Sequence, residues 1–325
     1  MRAVVVKEFG GPEQLRVESV PDPQPGAGEL LVRVVAAGVN RADLMQRQGH
    51  YPPPKGVTDV IGLEVSGHVE SVGAEVSGWS EGDPVVALLA GGGYAELVVV
   101  PAAQCLRPPE GMDLVSAAGV MEVAATVVSN LDHAHLGSGE TFLVHGGAGG
   151  IGSFAIPYAK SLGATVVTTA GSEEKRAYCR DLGADVALDY HDDWPAQVRE
   201  ATDGHGADVI LDVMGAAYLE KNVATLARDG RLTVIGFQGG RKGTLDLSAL
   251  LAVNGTVSAL GLRHRPAAEK AEIVRRVGES VWPLLTDGTI PRGAERRFAF
   301  DEVRAAHEHL ESGDATGKLI LVVTP

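Results

Sequence analysis

Residues 141–152 read TFLVHGGAGGIG, which sets Gly147, Gly149 and Gly152 at the spacing G-x-G-x-x-G. Glycine occurs 42 times in this chain, so the spacing alone is weak. Its context strengthens it: an apolar stretch that reads as a strand precedes it, and a helical stretch follows. A pyrophosphate needs this arrangement for three reasons. The turn is tight, the backbone must approach the phosphates with no Cβ in the way, and helix and strand must pack closely. The helix start then offers free N–H groups and partial positive charge. Gly147, Gly149, Gly150, Ile151 and Gly152 are therefore the expected phosphate contacts.

The next expected strand ends TTAGSEEK. Sites that take NAD place an acid about 20 residues past the glycines, where it binds the ribose 2′-hydroxyl. Gly171 holds that place, with Ser172 and Lys175 after it. Without a carboxylate a 2′-phosphate is not repelled, and a hydroxyl and an ammonium bind one. The spacing thus predicts NADPH. Glu173 and Glu174 suit the first turn of a following helix. Lys175 also reads as an ordinary exposed helix lysine. Asn40 and Asp43 stand where they cap a short helix expected over 41–48, and capping alone explains both residue types.

The elements around these residues fall into two rhythms. The first third is rich in valine, glycine and proline, with short strands expected at 2–6, 29–35, 65–72, 84–88 and 95–100. From residue 123, strands at 141–145, 165–169, 186–188, 209–213 and 232–236 alternate with helices at 151–162, 173–182, 194–201 and 218–226. That alternation means βαβ units and a doubly wound parallel sheet, an α/β class. A last strand of the sheet is expected at 256–261. The tail reads helix 267–285, strand 297–300, helix 302–312 and strand 318–323, and the closing strands return to the first domain. The expected boundaries are 1–122, 123–262 and 263–325.

With 325 residues, 45% hydrophobic and 22% charged, the chain has material for two buried cores. A net charge of -14 disfavours phosphate backbones and anionic membranes as partners. Cys105 and Cys179 form no CxxC, which suits reduced thiols in a cytoplasmic protein. No signal peptide is read at the N-terminus. The most apolar stretch, 85–100, is broken by glycines and Glu96 and is too short to span a bilayer.

Over essentially its whole length the sequence resembles the medium-chain dehydrogenase/reductases. Within them it is similar to the zinc-free, zeta-crystallin-like quinone oxidoreductases. The segment NRADLMQRQGHYPPP at 40–54 is especially similar to their tumour-suppressor-inducible branch. GLEVSGHV (62–69), TAGSEEK (169–175), EKNVATLARDGR (220–231) and TGKLIL (316–321) also match. The resemblance implies a GroES-like β-rich domain beside a Rossmann domain, with the active site in the cleft between them. Zinc members carry Cys and His where this chain has Asn40 and Leu63, and an aliphatic side chain supplies no ligand. Their four-cysteine structural lobe is also missing. His133 and His135 read as surface residues, so no metal is expected.

The resemblance also assigns roles. Tyr51, stiffened by Pro52, Pro53 and Pro54, is the candidate catalytic proton donor; packing between lobes is its other reading. Asn40 is implied to face the nicotinamide ribose or the substrate. Glu64 matches a cleft position, with structural hydrogen bonding favoured over acid–base work. Cofactor contacts are implied at Thr126, Tyr190, Met214, Gly236, Phe237, Leu262, Arg263 and Lys318. Tyr190 and Lys175 together suit the 2′-phosphate. Tyr190 also reads as packing beyond its strand, and Arg263 and Lys318 as solvated charges. Gly149 departs from a serine in the resembled branch, which removes any contact through that hydroxyl. Substrate choice is assigned to the loops at Tyr51, 92–94 and 237–241.

The expected activity is NADPH-dependent reduction of a small-molecule quinone or related conjugated carbonyl. The rival is an enoyl-thioester or alkenal reductase. A third reading is an NADPH-binding redox sensor or RNA-binding module. A homodimer paired through the 256–261 edge is expected, because an uncovered edge offers unpaired backbone groups.

Overall fold

The computed structural model describes residues 1–323. Two compact units emerge, one made of Met1–Ala125, Leu262–Asp287 and the chain from Ala294 onward, the other of Thr126–Gly261 and Gly288–Gly293.

The second unit is a six-stranded sheet. Its order is Val186–Asp189, Thr165–Ala170, Thr141–His145, Ala207–Asp212, Leu226–Val234 and Thr256–Ala259. Every pairing is parallel. This is the doubly wound Rossmann order, with helices Gly150–Ser161, Glu173–Asp181, Trp194–Ala201 and Leu219–Thr225 among its connections. Thr141–His145 and Ala207–Asp212 are buried along their whole length, which is why both read as near-continuous apolar runs. Leu143, Val167, Ile210 and Leu232 form the core with Trp194 and Val198. The winding direction reverses between Thr141–His145 and Ala207–Asp212. Such sheets bind ligands beyond the carboxyl ends of the strands at that point.

The first unit is β-rich. A seven-stranded sheet runs Glu295–Ala299, Lys318–Val322, Glu29–Val39, Glu64–Val72, Pro84–Leu88 and Cys105–Leu106, and Leu97–Pro101 also pairs with Glu29–Val39. Leu30, Val32, Val65, Val85, Phe298 and Leu321 fill its core. The closing strand is antiparallel to Glu29–Val39 with Leu319 opposite Val39. That register brings Lys318 beside Asn40.

Several boundaries differ from expectation. The helix expected at 267–285 is two, Ala267–Ser280 and Trp282–Thr286, because Pro283 has no N–H to continue the ladder. The strand expected at 232–236 is Leu226–Val234. Its Arg228, Asp229 and Gly230 read as a turn, and Asp229 does take a left-handed φ of 60°, but pairing resumes on both sides. Leu15–Ser19, a short alternating strand paired with Arg2–Val6, was not expected, nor was helix Met121–His133. Leu114–His133, not 85–100, is long and apolar enough to cross a membrane. Yet 72% of that window is buried inside the protein, as in a core helix.

Candidate functional site

Helix Gly150–Ser161 follows Thr141–His145 through the glycine turn. Its hydrogen-bond ladder begins with Ser153 N donating to Gly149 O at 2.8 Å. The amides of Gly150, Ile151 and Gly152 therefore precede the first intrahelical bond and are available to an anion. The glycines divide the work. A Cβ on Gly152 would lie 2.4 Å from Gly147 Cα, and one on Gly147 would lie 2.1 Å from Thr168 Oγ1. Those two let helix and strand close up. A Cβ on Gly149 would meet only Gly146 O, at 3.4 Å, so its bare face is open to a ligand. The turn fits a dinucleotide pyrophosphate.

At the end of Thr165–Ala170, Gly171 packs under Tyr190. A Cβ at residue 171 would stand 2.2 Å from the Tyr190 hydroxyl. The tyrosine thus fills the space an acidic side chain would need. Ser172 caps helix Glu173–Asp181, its Oγ accepting from Lys175 N at 3.2 Å. Glu173 is engaged by Arg176 and Arg180. Tyr190 and Ser172 are exposed and Lys175 is half-buried. Further along the same sheet edge, Gly239 N donates to Met214 O at 2.7 Å and Gln238 N to Val213 O at 3.2 Å. These bonds hold the Gly236–Phe237 loop against Met214. Asp212, which sequence reasoning passed over, accepts from Met214 N at 2.7 Å and Gly215 N at 2.8 Å. Burial raises its carboxyl to about 6, against those two donors. Thr126 is buried in helix Met121–His133.

In the β-rich unit, Asn40 does more than cap. Its backbone N–H donates to Asp43 Oδ2 at 2.7 Å, one half of a capping box. Its side chain turns to other partners: Nδ2 donates to Glu64 Oε1 at 3.0 Å, and Oδ1 accepts from Lys318 Nζ at 2.7 Å. Lys318 also donates to Glu64 Oε1 at 2.7 Å, and Glu122 N donates to Glu64 Oε2 at 2.9 Å. Lys318 is thus part of a buried network and not a solvated charge. Glu64, fully buried, is a hydrogen-bond hub, as expected of it.

Asp43 is nearly as buried, and burial raises its carboxyl to about 7 despite donors from Asn40 N and the Tyr94 hydroxyl. Its Oδ1 has no hydrogen-bond partner among the described residues. Tyr94, expected in a substrate loop, is instead fully buried with its hydroxyl 3.0 Å from Asp43 Oδ2. The glycines at 91–93 hid this by making the segment read as a loop.

Tyr51 is held by Arg263. The guanidinium is 3% exposed and donates to Ala90 O at 2.6 Å, Tyr51 O at 3.0 Å and Gln46 Oε1 at 2.7 Å. It also lies 5.1 Å from the Tyr51 ring centre, with the His264 ring edge-on at 5.3 Å. Arg263 is therefore no solvated charge; its donors fasten the Tyr51 loop, and Leu262 precedes it half-buried. Burial raises the Tyr51 phenol, Arg263 partly opposing. The phenol stays protonated at neutral pH, and no hydrogen bond engages its hydroxyl among the described residues.

The donor set at Asn40 does not suit zinc. Glu64 already faces an ammonium and an amide, with neither thiolate nor imidazole beside it, and Leu63 supplies no ligand. Among the described residues no three His, Cys, Asp or Glu side chains gather as a metal centre.

Residues 26–110 match the family described as alcohol dehydrogenase GroES-like domain, and 150–277 match that described as zinc-binding dehydrogenase. A Pseudomonas aeruginosa quinone oxidoreductase is 33% identical over 97% of both chains. A Burkholderia 2-haloacrylate reductase is 30% identical over 98% of both. A mycobacterial structure complexed with NADPH superposes with a TM-score of 0.90 at 33% identity, covering 99% of this chain and all of that one. The β-rich unit is GroES-like, the other is a Rossmann unit, and the chain belongs to the quinone oxidoreductase family of the medium-chain dehydrogenase/reductases.

Proposed function

We propose that this oxidoreductase uses NADPH to reduce quinones or other conjugated carbonyls without zinc. The observation that carries the reading is the Gly171–Tyr190 contact beside Ser172 and Lys175. It leaves no room for the acid that reads a ribose 2′-hydroxyl, and it sets a hydroxyl and a lysine near the place of a 2′-phosphate. The mycobacterial neighbour solved with NADPH supports the same choice.

The nicotinamide, when bound, supplies a hydride, which is both electrons of the reduction. The chain's own residues do the rest. The amides of Gly150, Ile151 and Gly152 hold the pyrophosphate, with Gly147 and Gly149 shaping the turn. Gly171, Ser172, Lys175 and Tyr190 take the adenosine end. Thr126, Met214, Gly236, Phe237 and Leu262 border the remainder of the dinucleotide. Asn40, kept rigid by Glu64 and Lys318, orients the nicotinamide ribose or substrate. Tyr51, kept in place by Arg263, gives a hydrogen bond or proton to the oxygen that gains charge. The Lys318 ammonium supports this network.

The Burkholderia relative favours a second reading, reduction of an activated alkene, since a haloacrylate is an alkene conjugated to a carboxyl group. We place the protein in the cytoplasm as a homodimer joined at the edge strand Thr256–Ala259, next to exposed Leu247 and Leu251. A monomeric mass in light scattering would refute the dimer. Steady-state NADPH oxidation with an ortho-quinone, a 2-haloacrylate and a 2-enoyl thioester tests the substrate class. Quinone turnover is expected to lead; thioester turnover greater by orders of magnitude overturns the reading.

A further inference from the structure

A cavity of about 370 Å³ lies wholly within the β-rich unit. Its walls are mostly apolar, including Val57, Leu89, Val98 and Val100. Four polar side chains interrupt them: Glu29, Thr58 and, more deeply buried, Gln104 at 3% and Lys270 at 7% exposure; Glu29 Oε2 is engaged by Gly26 N at 2.8 Å. Gln104 ends the turn Ala102–Gln104, which packs on helix Ala267–Ser280, the helix that carries Lys270.

Gln104 and Lys270 are left short of partners. Among the described residues Lys270 Nζ has one hydrogen bond, a long 3.5 Å donation to Arg263 O, and no carboxylate pairs with it. No hydrogen bond engages the Gln104 amide among the described residues. A buried ammonium without a counter-charge is costly, so such groups are ordinarily paired. Desolvation lowers the Lys270 ammonium, and the nearby Arg263 guanidinium lowers it further. Arg263 is itself committed to three oxygens, so the unmet donor capacity is that of Lys270 and Gln104. A mostly apolar pocket of this size, with a buried ammonium and a buried amide carried on elements that pack together, has the make-up of a small-molecule site.

We propose that this cavity binds a small monocarboxylate with an apolar body, its carboxylate accepting from Lys270 Nζ and the Gln104 amide. Neither the glycine turn nor Tyr51, Asn40 or Lys318 lines the cavity, although Ala90, which does, accepts from the Arg263 that holds Tyr51, and Gly92 belongs to a loop expected to bear on substrate choice.

Octanoate and its neutral isostere octanol are the probes, titrated calorimetrically into the wild-type protein. Octanoate is expected to bind with a dissociation constant below about 1 mM, and octanol at least about tenfold more weakly, for want of the charge-assisted bonds. Lys270→Met keeps the side-chain length and removes the charge, and is expected to weaken octanoate roughly tenfold or more with no change in NADPH affinity. Gln104→Leu is a second variant, expected to weaken octanoate by a smaller factor. The proposal fails if octanoate gives no binding heat. It also fails if octanol binds as tightly, or if a folded Lys270→Met or Gln104→Leu protein binds octanoate like wild type.

Discussion

Lys318 Nζ lies 2.7 Å from Asn40 Oδ1 and 2.7 Å from Glu64 Oε1. One ammonium from the closing strand thus ties a helix-start residue to a fully buried carboxylate. Removing it leaves the Glu64 charge without its counter-ion. Lys318→Met is expected to cost about 3–5 kcal/mol in urea unfolding. Adding Glu64→Gln should return most of that loss, because the stranded charge goes too. Losses that simply add in the double variant would contradict the coupling.

Tyr51→Phe keeps the ring against Arg263 and His264 and removes the hydroxyl. Turnover is expected to fall about 100-fold or more, with NADPH affinity nearly unchanged. The wild-type phenol is pushed above its ordinary value of 10 by burial. Its ionisation should therefore leave no mark on kcat below about pH 10. A pH–rate limb near neutrality that disappears in Tyr51→Phe would contradict this.

Gly171 and Tyr190 are coupled by space. Gly171→Asp alone should impair both dinucleotides, because its Cβ meets the tyrosine hydroxyl. With Tyr190→Ala added, the carboxylate gains room, and NADH binding should recover while NADPH binding does not. Lys175→Ala should weaken NADPH by roughly tenfold or more and NADH little. Fluorescence titration of the four proteins checks all of this; equal losses for both dinucleotides after Lys175→Ala would remove the lysine from the phosphate site.

Asp43 sets a pH dependence of stability. Burial raises its carboxyl from an ordinary 3.8 to about 7 in the folded chain. Between those values the folded state holds a proton that the unfolded state has lost, so stability falls as pH rises through this window and levels off above it. The upper bound is about 4 kcal/mol. His145 and His307, lowered to about 4 and about 3 by burial, slope the opposite way below the ordinary histidine range, but do so in any variant that keeps them. Asp43→Asn should therefore gain stability relative to wild type as pH rises from 4 to 7. A gap that does not change with pH would contradict the assignment.

The fold was legible because its strongest signals are local. The glycine turn, the apolar strands around it and the cap at Ser172 can all be read from a few adjacent residues. The elements that escaped lack such a signal or compete with one. Arg228, Asp229 and Gly230 look like a turn inside a strand, and Gly91, Gly92 and Gly93 conceal how deeply Tyr94 is buried. The candidate site was legible as residue types but not as partnerships. Asn40 and Asp43 read as caps from their spacing. That Asn40 also meets Glu64 and Lys318 depends on strand register linking positions far apart in the chain. Arg263 likewise reads from the sequence as a cofactor contact or a solvated charge, and its bonds to Gln46, Tyr51 and Ala90 are not visible until the fold brings them together.

The central claim is that the glycine turn and its 2′-phosphate pocket take up reduced NADPH. Calorimetric titration of the purified protein with NADPH and NADH tests it most directly. One NADPH per chain, bound at least about tenfold more tightly than NADH, is the predicted result. Failure to bind either dinucleotide, or tighter binding of NADH, would contradict the account.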